Sequence, residues 1–396
     1  MLVREKLESS CSFRAISKTF GIAKDCLDIK SKVPTHSTII NWVHKIGYHR
    51  LHEVKEFAHD WIVILDHSIQ LGQDKLFVVL GIREAHIDFT RPLQYQDLVP
   101  LAMESRHGWK GEMVQECLES LQQKIGTIKY AVGDHGREIK YGLKLANIRH
   151  IHDITHAIAL MIKSIYGKDE IFQAFSKRMA TMRAKFLQTD IAYIIPPKQR
   201  AKARYQNIKI LSDWGMRVIQ YLENIKKLKT DAEQKIQREL AWINDYEELI
   251  DELFQINDVI CKVEKIVKSR GINNDTVKES QAILDTLPSE NAKTLKQKMV
   301  QYFHETQSLL SDESNLLCTS DILESAFGKY KNYVSNNPMA GITNLVLSIA
   351  AFTSSMQENT VKAALENTTV DDIKRWTKEN IGTTLLQKRK TAFAFG

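Results

Sequence analysis

The spacing of hydrophobic residues changes character twice along this chain, from a helical period to strand-like runs near residue 60 and back to a helical period near residue 155. Residues 12–20 follow the helical period until Gly21-Ile22 interrupts it, and residues 34–47 form a second helical segment. Pro34 and Thr35 suit the start of that helix and Gly47 its end. Ile39, Ile40, Trp42, Val43 and Ile46 are expected to face inward, with His36, Ser37, Asn41, His44 and Lys45 outward. Such a pair of helices fits either a helix-turn-helix laid in a DNA major groove or an ordinary helical hairpin.

Residues 61–67 and 75–83 read as adjacent strands joined by a turn at Leu71-Gly72-Gln73-Asp74, and 86–91 reads as a third. A helix at 111–125, a buried strand at 127–133, a helix at 137–146 and a short strand at 149–154 follow, with a helix from Thr155. The pattern predicts an α/β fold, a mixed sheet covered by helices. From 166 to 317 almost nothing reads as strand: apolar positions such as Leu240, Ile243, Ile250, Leu253, Val259 and Val263 alternate with acids at helical spacing. Roughly 150 residues of α-structure are too many for a connection and predict an inserted domain. The expected divisions are 1–52, 53–165, 166–317, 318–360 and a helical tail at 361–396.

Three segments carry chemistry. Ile62-Val63-Ile64-Leu65-Asp66 and Tyr130-Ala131-Val132-Gly133-Asp134 are apolar strand runs that each end at an acid, where the chain is expected to leave the sheet. In residues 321–334, Leu323, Phe327, Tyr330 and Val334 form an apolar helical stripe, and Glu324 and Lys331 lie on another face. Hard carboxylate oxygens suit Mg²⁺ or Mn²⁺, and two such ions about 3.5–4 Å apart can clamp the attacking and leaving oxygens of a phosphodiester. Taken singly, a strand-end aspartate is more often a turn former or helix cap, and Glu324 more often a solvated acid. Asp66 and Asp134 gain weight together because a sheet pairing their strands would bring them close.

Asp153 is the strongest competing acid. With His156 three residues on, it reads as the N-cap of the next helix, as a group supporting a metal ligand, or as a ligand itself. His150 and His152 look like strand residues, and zinc is the poorer reading.

At 396 residues the chain exceeds one core, and its formal charge of +7 permits a polyanionic partner without requiring one. Its five cysteines are scattered and odd in number, which argues against a disulfide framework or thiolate zinc site. No apolar stretch approaches the roughly 20 residues of a membrane span, so the expectation is a soluble, cytoplasmic protein.

In its order of parts the chain resembles the DDE transposases of bacterial insertion sequences. The likeness rests on the N-terminal helix pair, Asp66 on a first strand that leads into a hairpin, Asp134 in Val-Gly-Asp-His-Gly, the Asp153-Ile154-Thr155-His156 element, the helical block after it, and Glu324 on a late helix with Lys331 two turns on. It implies a ribonuclease H-like mixed five-stranded sheet with flanking helices, interrupted by a large all-α insertion and preceded by a helix-turn-helix-like module. It implies two Mg²⁺ ions, with Mn²⁺ as substitute: Asp66 bridging both, Asp134 on the ion at the nucleophile, Glu324 on the ion at the leaving group, and Asp153, His156 and Lys331 as accessory groups. The implied partners are double-stranded DNA, both terminal inverted repeats and target, and further copies of the chain in a nucleoid-associated dimer or larger assembly.

Residues 196–229 carry nine cations, Lys198, Arg200, Lys202, Arg204, Lys209, Arg217, Lys226, Lys227 and Lys229, against Asp213 and Glu223. That is a phosphate-binding stripe or a solvated helix face. Trp214 within it reads as core or as a base-stacking platform. Asn41, His44, Lys45, Lys329 and Lys331 complete the DNA-contact candidates. A ribonuclease H-like nuclease or resolvase would share the carboxylates without strand transfer, and an inactive transposase-derived DNA-binding protein would share the scaffold alone.

Overall fold

The computed structural model describes residues 1–71, 74–199, 205, 208–225, 230–309, 315–334 and 341–394. The chain divides into two compact units, Met1–Ile151 with Thr319–Gly396, and His152–Cys318. The turn expected at 71–74 includes Gly72 and Gln73, which lie outside the described residues.

Three helices open the first unit: α1 (Leu2–Glu8), α2 (Phe13–Cys26) and α3 (His36–His52). The strands are β1 (Ala58–Leu71), β2 (Asp74–Arg83), β3 (Val99–His107), β4 (Gly126–Gly133) and β5 (Arg149–His152), with α4 (Gly111–Ile125) before β4 and α5 (Arg137–Leu145) after it. They form one sheet in the order β3-β2-β1-β4-β5. β2 is antiparallel to both β1 and β3, whereas β1 and β4 are parallel. This is a ribonuclease H-like mixed five-stranded sheet with flanking helices.

Its central strands are buried on both faces, which is why they read as unbroken apolar runs: Ile62, Val63, Ile64 and Leu65 are all inaccessible to solvent. One face, through Val63, Leu65, Phe77, Val79 and Ala131, packs on Val114, Leu118 and Leu121 of α4 and on Ile139 and Leu143 of α5.

The second unit is the all-α insertion. It contains α6 (Ile154–Tyr166), α7 (Glu170–Phe186), α8 (Ile208–Ile225), α9 (Asp231–Leu240), α10 (Glu247–Arg270), α11 (Asn274–Leu284) and α12 (Glu290–Ser308). Apart from the end of β5 and an isolated bridge between Ile272 and Leu316, its described residues contain no strand. Phe172, Phe175, Leu253, Ile256 and Phe303 are fully buried within it.

The chain then returns to the first unit through α13 (Asp321–Val334), α14 (Leu347–Phe352), α15 (Glu358–Asn367), α16 (Val370–Asn380) and α17 (Leu385–Phe393). α3 packs against α14, α15, α16 and β3. Among the described residues no helix is long and apolar enough to cross a membrane. All five cysteines are free.

Three local expectations are corrected. The third strand is β3 and not 86–91, where Asp88 instead forms a turn by accepting from the Thr90 amide and hydroxyl. β3 contains Pro100, which speaks against a central strand but is tolerated at the sheet edge. β1 also runs past Asp66 to Leu71, because its antiparallel pairing with β2 continues through Asp66↔Val78. Finally, α2 continues through Gly21 and α3 through Gly47. A Cβ on Gly47 would stand 2.0 Å from the Leu347 carbonyl oxygen, so this glycine serves the close approach of α3 and α14. Gly47→Ala is expected to destabilise the protein by about 2–3 kcal/mol, because a backbone atom must move; urea denaturation followed by circular dichroism checks it.

Candidate functional site

The parallel register of β1 and β4 runs Ile62↔Tyr130, Val63↔Ala131, Ile64↔Val132. The paired register ends there, two residues short of each aspartate: Asp66 lies within β1, paired with Val78 of β2, and Asp134 directly follows the last residue of β4. Glycine makes this pairing close: a Cβ on Gly133 would stand 2.9 Å from the Leu65 carbonyl oxygen. Each aspartate is anchored by a backbone amide. Asp66 Oδ1 accepts from His67 N at 2.6 Å, and Asp134 Oδ1 accepts from Gly136 N at 2.8 Å. Both side chains are half-buried.

Glu324 lies in the first turn of α13, where a negative charge suits the helix dipole, and it is exposed. The buried stripe of α13, Leu323, Ala326, Phe327 and Tyr330, lies outside the α4–α5 cluster, and the helix packs against β1. That leaves α13 the opposite face of the sheet, the one bearing Ile62, Ile64 and Asp66. The three acids are therefore carried on contiguous elements of one unit. The donor set is all carboxylate, which fits hard divalent cations. Among the described residues, however, no three His, Cys, Asp or Glu side chains stand close enough to hold a metal ion together.

Two histidines near the aspartates were not singled out from the sequence as site residues. His67 is wedged against Phe77 and Trp109, ring centroids 4.8 and 5.0 Å away, and burial pushes its pKa down to about 4. His150 lies against Gly133, and burial likewise pushes it down to about 4. Only their burial distinguishes them, and no sequence spacing reports that.

Asp153 is fully buried in the second unit and caps α6, accepting from His156 N at 2.9 Å. The capping alternative thus has a direct geometric counterpart. Lys331 is exposed on α13. Lys329 is half-buried, with Nζ 4.3 Å from the Tyr95 ring centroid and 5.3 Å from that of Phe352, and burial lowers its pKa.

Among the other DNA-contact candidates, Asn41 and Lys198 are exposed. Lys45 donates to the Leu365 carbonyl at 2.9 Å. Trp214 is half-buried and its Nε1 donates to the Ile194 carbonyl at 3.3 Å. Arg200, Lys202 and Arg204 lie outside the described residues.

His44 requires a correction: it was expected to face outward but is only 4% exposed. The face of α3 that reads as free is covered by the C-terminal helices packed against it.

No family model matches the sequence, and no curated protein matches it. Among solved structures the chain is similar to the Drosophila P element transposase strand transfer complex, at 10% identity and a TM-score of 0.44, over 91% of this chain and 92% of that one. That likeness says nothing about which residues act.

His44 yields a pH prediction. Burial pushes its pKa from 6.5 to about 4, and among the described residues Nε2 has no hydrogen-bond partner. It is neutral when folded but protonates in the unfolded chain below about 6.5. Its contribution is therefore fully present above pH 6.5 and is lost as pH falls toward 4. His44→Leu is expected to flatten the fall in stability between pH 6.5 and 4, with the slope from His67 and His150 remaining. Urea midpoints measured across that range check it, and an unchanged slope counts against a neutral buried His44.

Proposed function

We propose that this protein is a metal-dependent DNA transposase of the DDE type, cutting the ends of a mobile element and joining them to target DNA. The observation that supports the reading is the parallel pairing of β1 with β4, whose last pair Ile64↔Val132 lies two residues before Asp66 and Asp134, while the helix that carries Glu324 packs on β1. A strictly structural sheet gains nothing from two like charges on adjacent strands, whereas a bound cation offsets their repulsion.

In this reading the amides of His67 and Gly136 orient the two aspartates so that they hold cations at fixed positions. Glu324 would supply a third carboxylate from a separate element. Lys331, exposed two turns after Glu324, would contact a phosphate as a point charge. Two bound divalent ions would supply Lewis acidity at phosphorus and lower the pKa of an attacking hydroxyl. The water that first cuts the strand and the 3′-hydroxyl that then joins it need in-line placement, which a rigid carboxylate pair favours.

Purified protein with Mg²⁺ or Mn²⁺ is expected to cleave DNA bearing its own element's terminal inverted repeats and to join the freed 3′ ends to a second duplex. Asp66→Asn, Asp134→Asn and Glu324→Gln are each expected to lower cleavage by about a hundredfold or more while leaving end binding intact. Cleavage assays paired with gel-shift measurements check this. Undiminished cleavage by any one variant removes that residue from the site, and cutting without joining would make the protein a nuclease.

A further inference from the structure

None of the residues of α17 is buried, and its Leu386 and Phe393 are 57% and 76% exposed. Its start is nonetheless fully specified: the Thr384 hydroxyl accepts from Gln387 N, and the Gln387 side chain accepts from Thr384 N at 2.9 Å. A helix of nine residues is marginal in water by itself. One that is specified in sequence and left uncovered is suited to a surface that a partner covers.

Its charge is unlike that of a solvated face. On α16, Lys374 pairs with Asp371 and Arg375 with Asp372, each acid three residues before its partner. Residues 380–396 hold Lys388, Arg389 and Lys390 in succession and no acid. At about 100° per residue the three cations fan over roughly half of the helix circumference. Local ion pairs need no such fan, whereas a helix set against rows of phosphates uses it.

Lys388 finds its acid far away in the chain: Nζ lies 3.1 Å from Asp74 Oδ2. Asp74 also pairs with His107, Oδ1 to Nδ1 at 3.0 Å. The register of β2 on β3 is unbroken from Asp74 to Val79, so Asp74 shares a face of the sheet with Leu76 and Val78. Val78 is the partner of Asp66 on β1. α17 therefore meets the sheet on the face that bears Asp66, about 14 Å further along β2. A carboxylate there holds the ammonium as a phosphate oxygen would. Leu386 and Phe393 would also let a basic helix lie on an anionic membrane, but its place on the Asp66-bearing face favours a duplex.

We propose that α17 is a docking element for the backbone of double-stranded DNA lying along the Asp66-bearing face of the sheet, with Lys388, Arg389 and Lys390 meeting phosphates and Lys388 exchanging Asp74 for one of them. The inference rests on the DNA reading above and involves no bound metal.

The test measures binding of the full-length protein to a fluorescent duplex of arbitrary sequence by anisotropy, over a series of NaCl concentrations without divalent ions. Replacing Lys388, Arg389 and Lys390 together by alanine is expected to weaken binding about tenfold or more and to lower the salt slope by about two to three. With no buried side chain lost, the melting temperature is expected to hold. The charge-keeping triple Lys388→Arg, Arg389→Lys, Lys390→Arg is expected to bind as the wild type does. Asp74→Asn is expected to tighten binding about twofold, since a competitor for Lys388 is removed. Unchanged affinity and slope in the alanine triple overturn the docking role, and weaker binding by Asp74→Asn overturns the exchange. Binding to phosphatidylserine vesicles in place of the duplex makes α17 a membrane element and also overturns the proposal. Docking through α17 in a protein that cuts no DNA keeps this surface and removes the transposase reading. A protein that cuts and joins DNA with the alanine triple binding as the wild type does the reverse, and failure of the wild type to bind any duplex removes both.

Discussion

The parallel pairing of β1 with β4 is the constraint on which the rest of the first unit depends. Side chains alternate across a strand, so slipping the pair by one residue would turn Val132 to the opposite face from Ile64 and bring apolar residues out of the core. Burial on both faces of the sheet makes such a slip costly. Glycines at the two ends of β4 make the close pairing possible: Gly126, at φ +95°, replaces a Cβ that would stand 2.0 Å from the Ala58 carbonyl oxygen, and Gly133 does the same beside Leu65.

The third acid is placed by different physics. Helix α13 meets β1 through an apolar stripe that specifies burial well and rotation poorly. Polar contacts on its other faces supply what the stripe lacks: Tyr95 to Ser325, and Tyr333, whose hydroxyl donates to the Lys6 carbonyl at 2.7 Å while Lys6 Nζ lies 3.6 Å from its ring centroid. The N-terminal helices thereby hold the far end of the helix that bears Glu324.

What could be read from residues alone follows this division. The runs ending at Asp66 and Asp134 were legible because strands buried on both faces leave no polar positions, and the helical insertion was legible because a long stretch kept the helical period. β3 was not legible, since Val99-Pro100-Leu101 looks like a loop until an edge position is available for the proline. Gly47 looked like a helix end because a glycine that admits a neighbouring backbone and one that stops a helix are identical in sequence. His44 looked exposed because the helices that cover α3 come from beyond residue 340. Each miss was settled by a tertiary contact between segments distant in the chain, which local propensity does not report.

The two aspartates and Glu324 also differ in how far they can adjust. β1 and β4 are embedded in the sheet core, and displacing either would break ladder hydrogen bonds and open close-packed interior. α13 is a helix at the edge of the unit whose Glu324 is exposed, and beside it Ser325 accepts from the Tyr95 hydroxyl while Lys329 lies over the Tyr95 and Phe352 rings. Peripheral helices with few directional contacts lie at the low end of local stability.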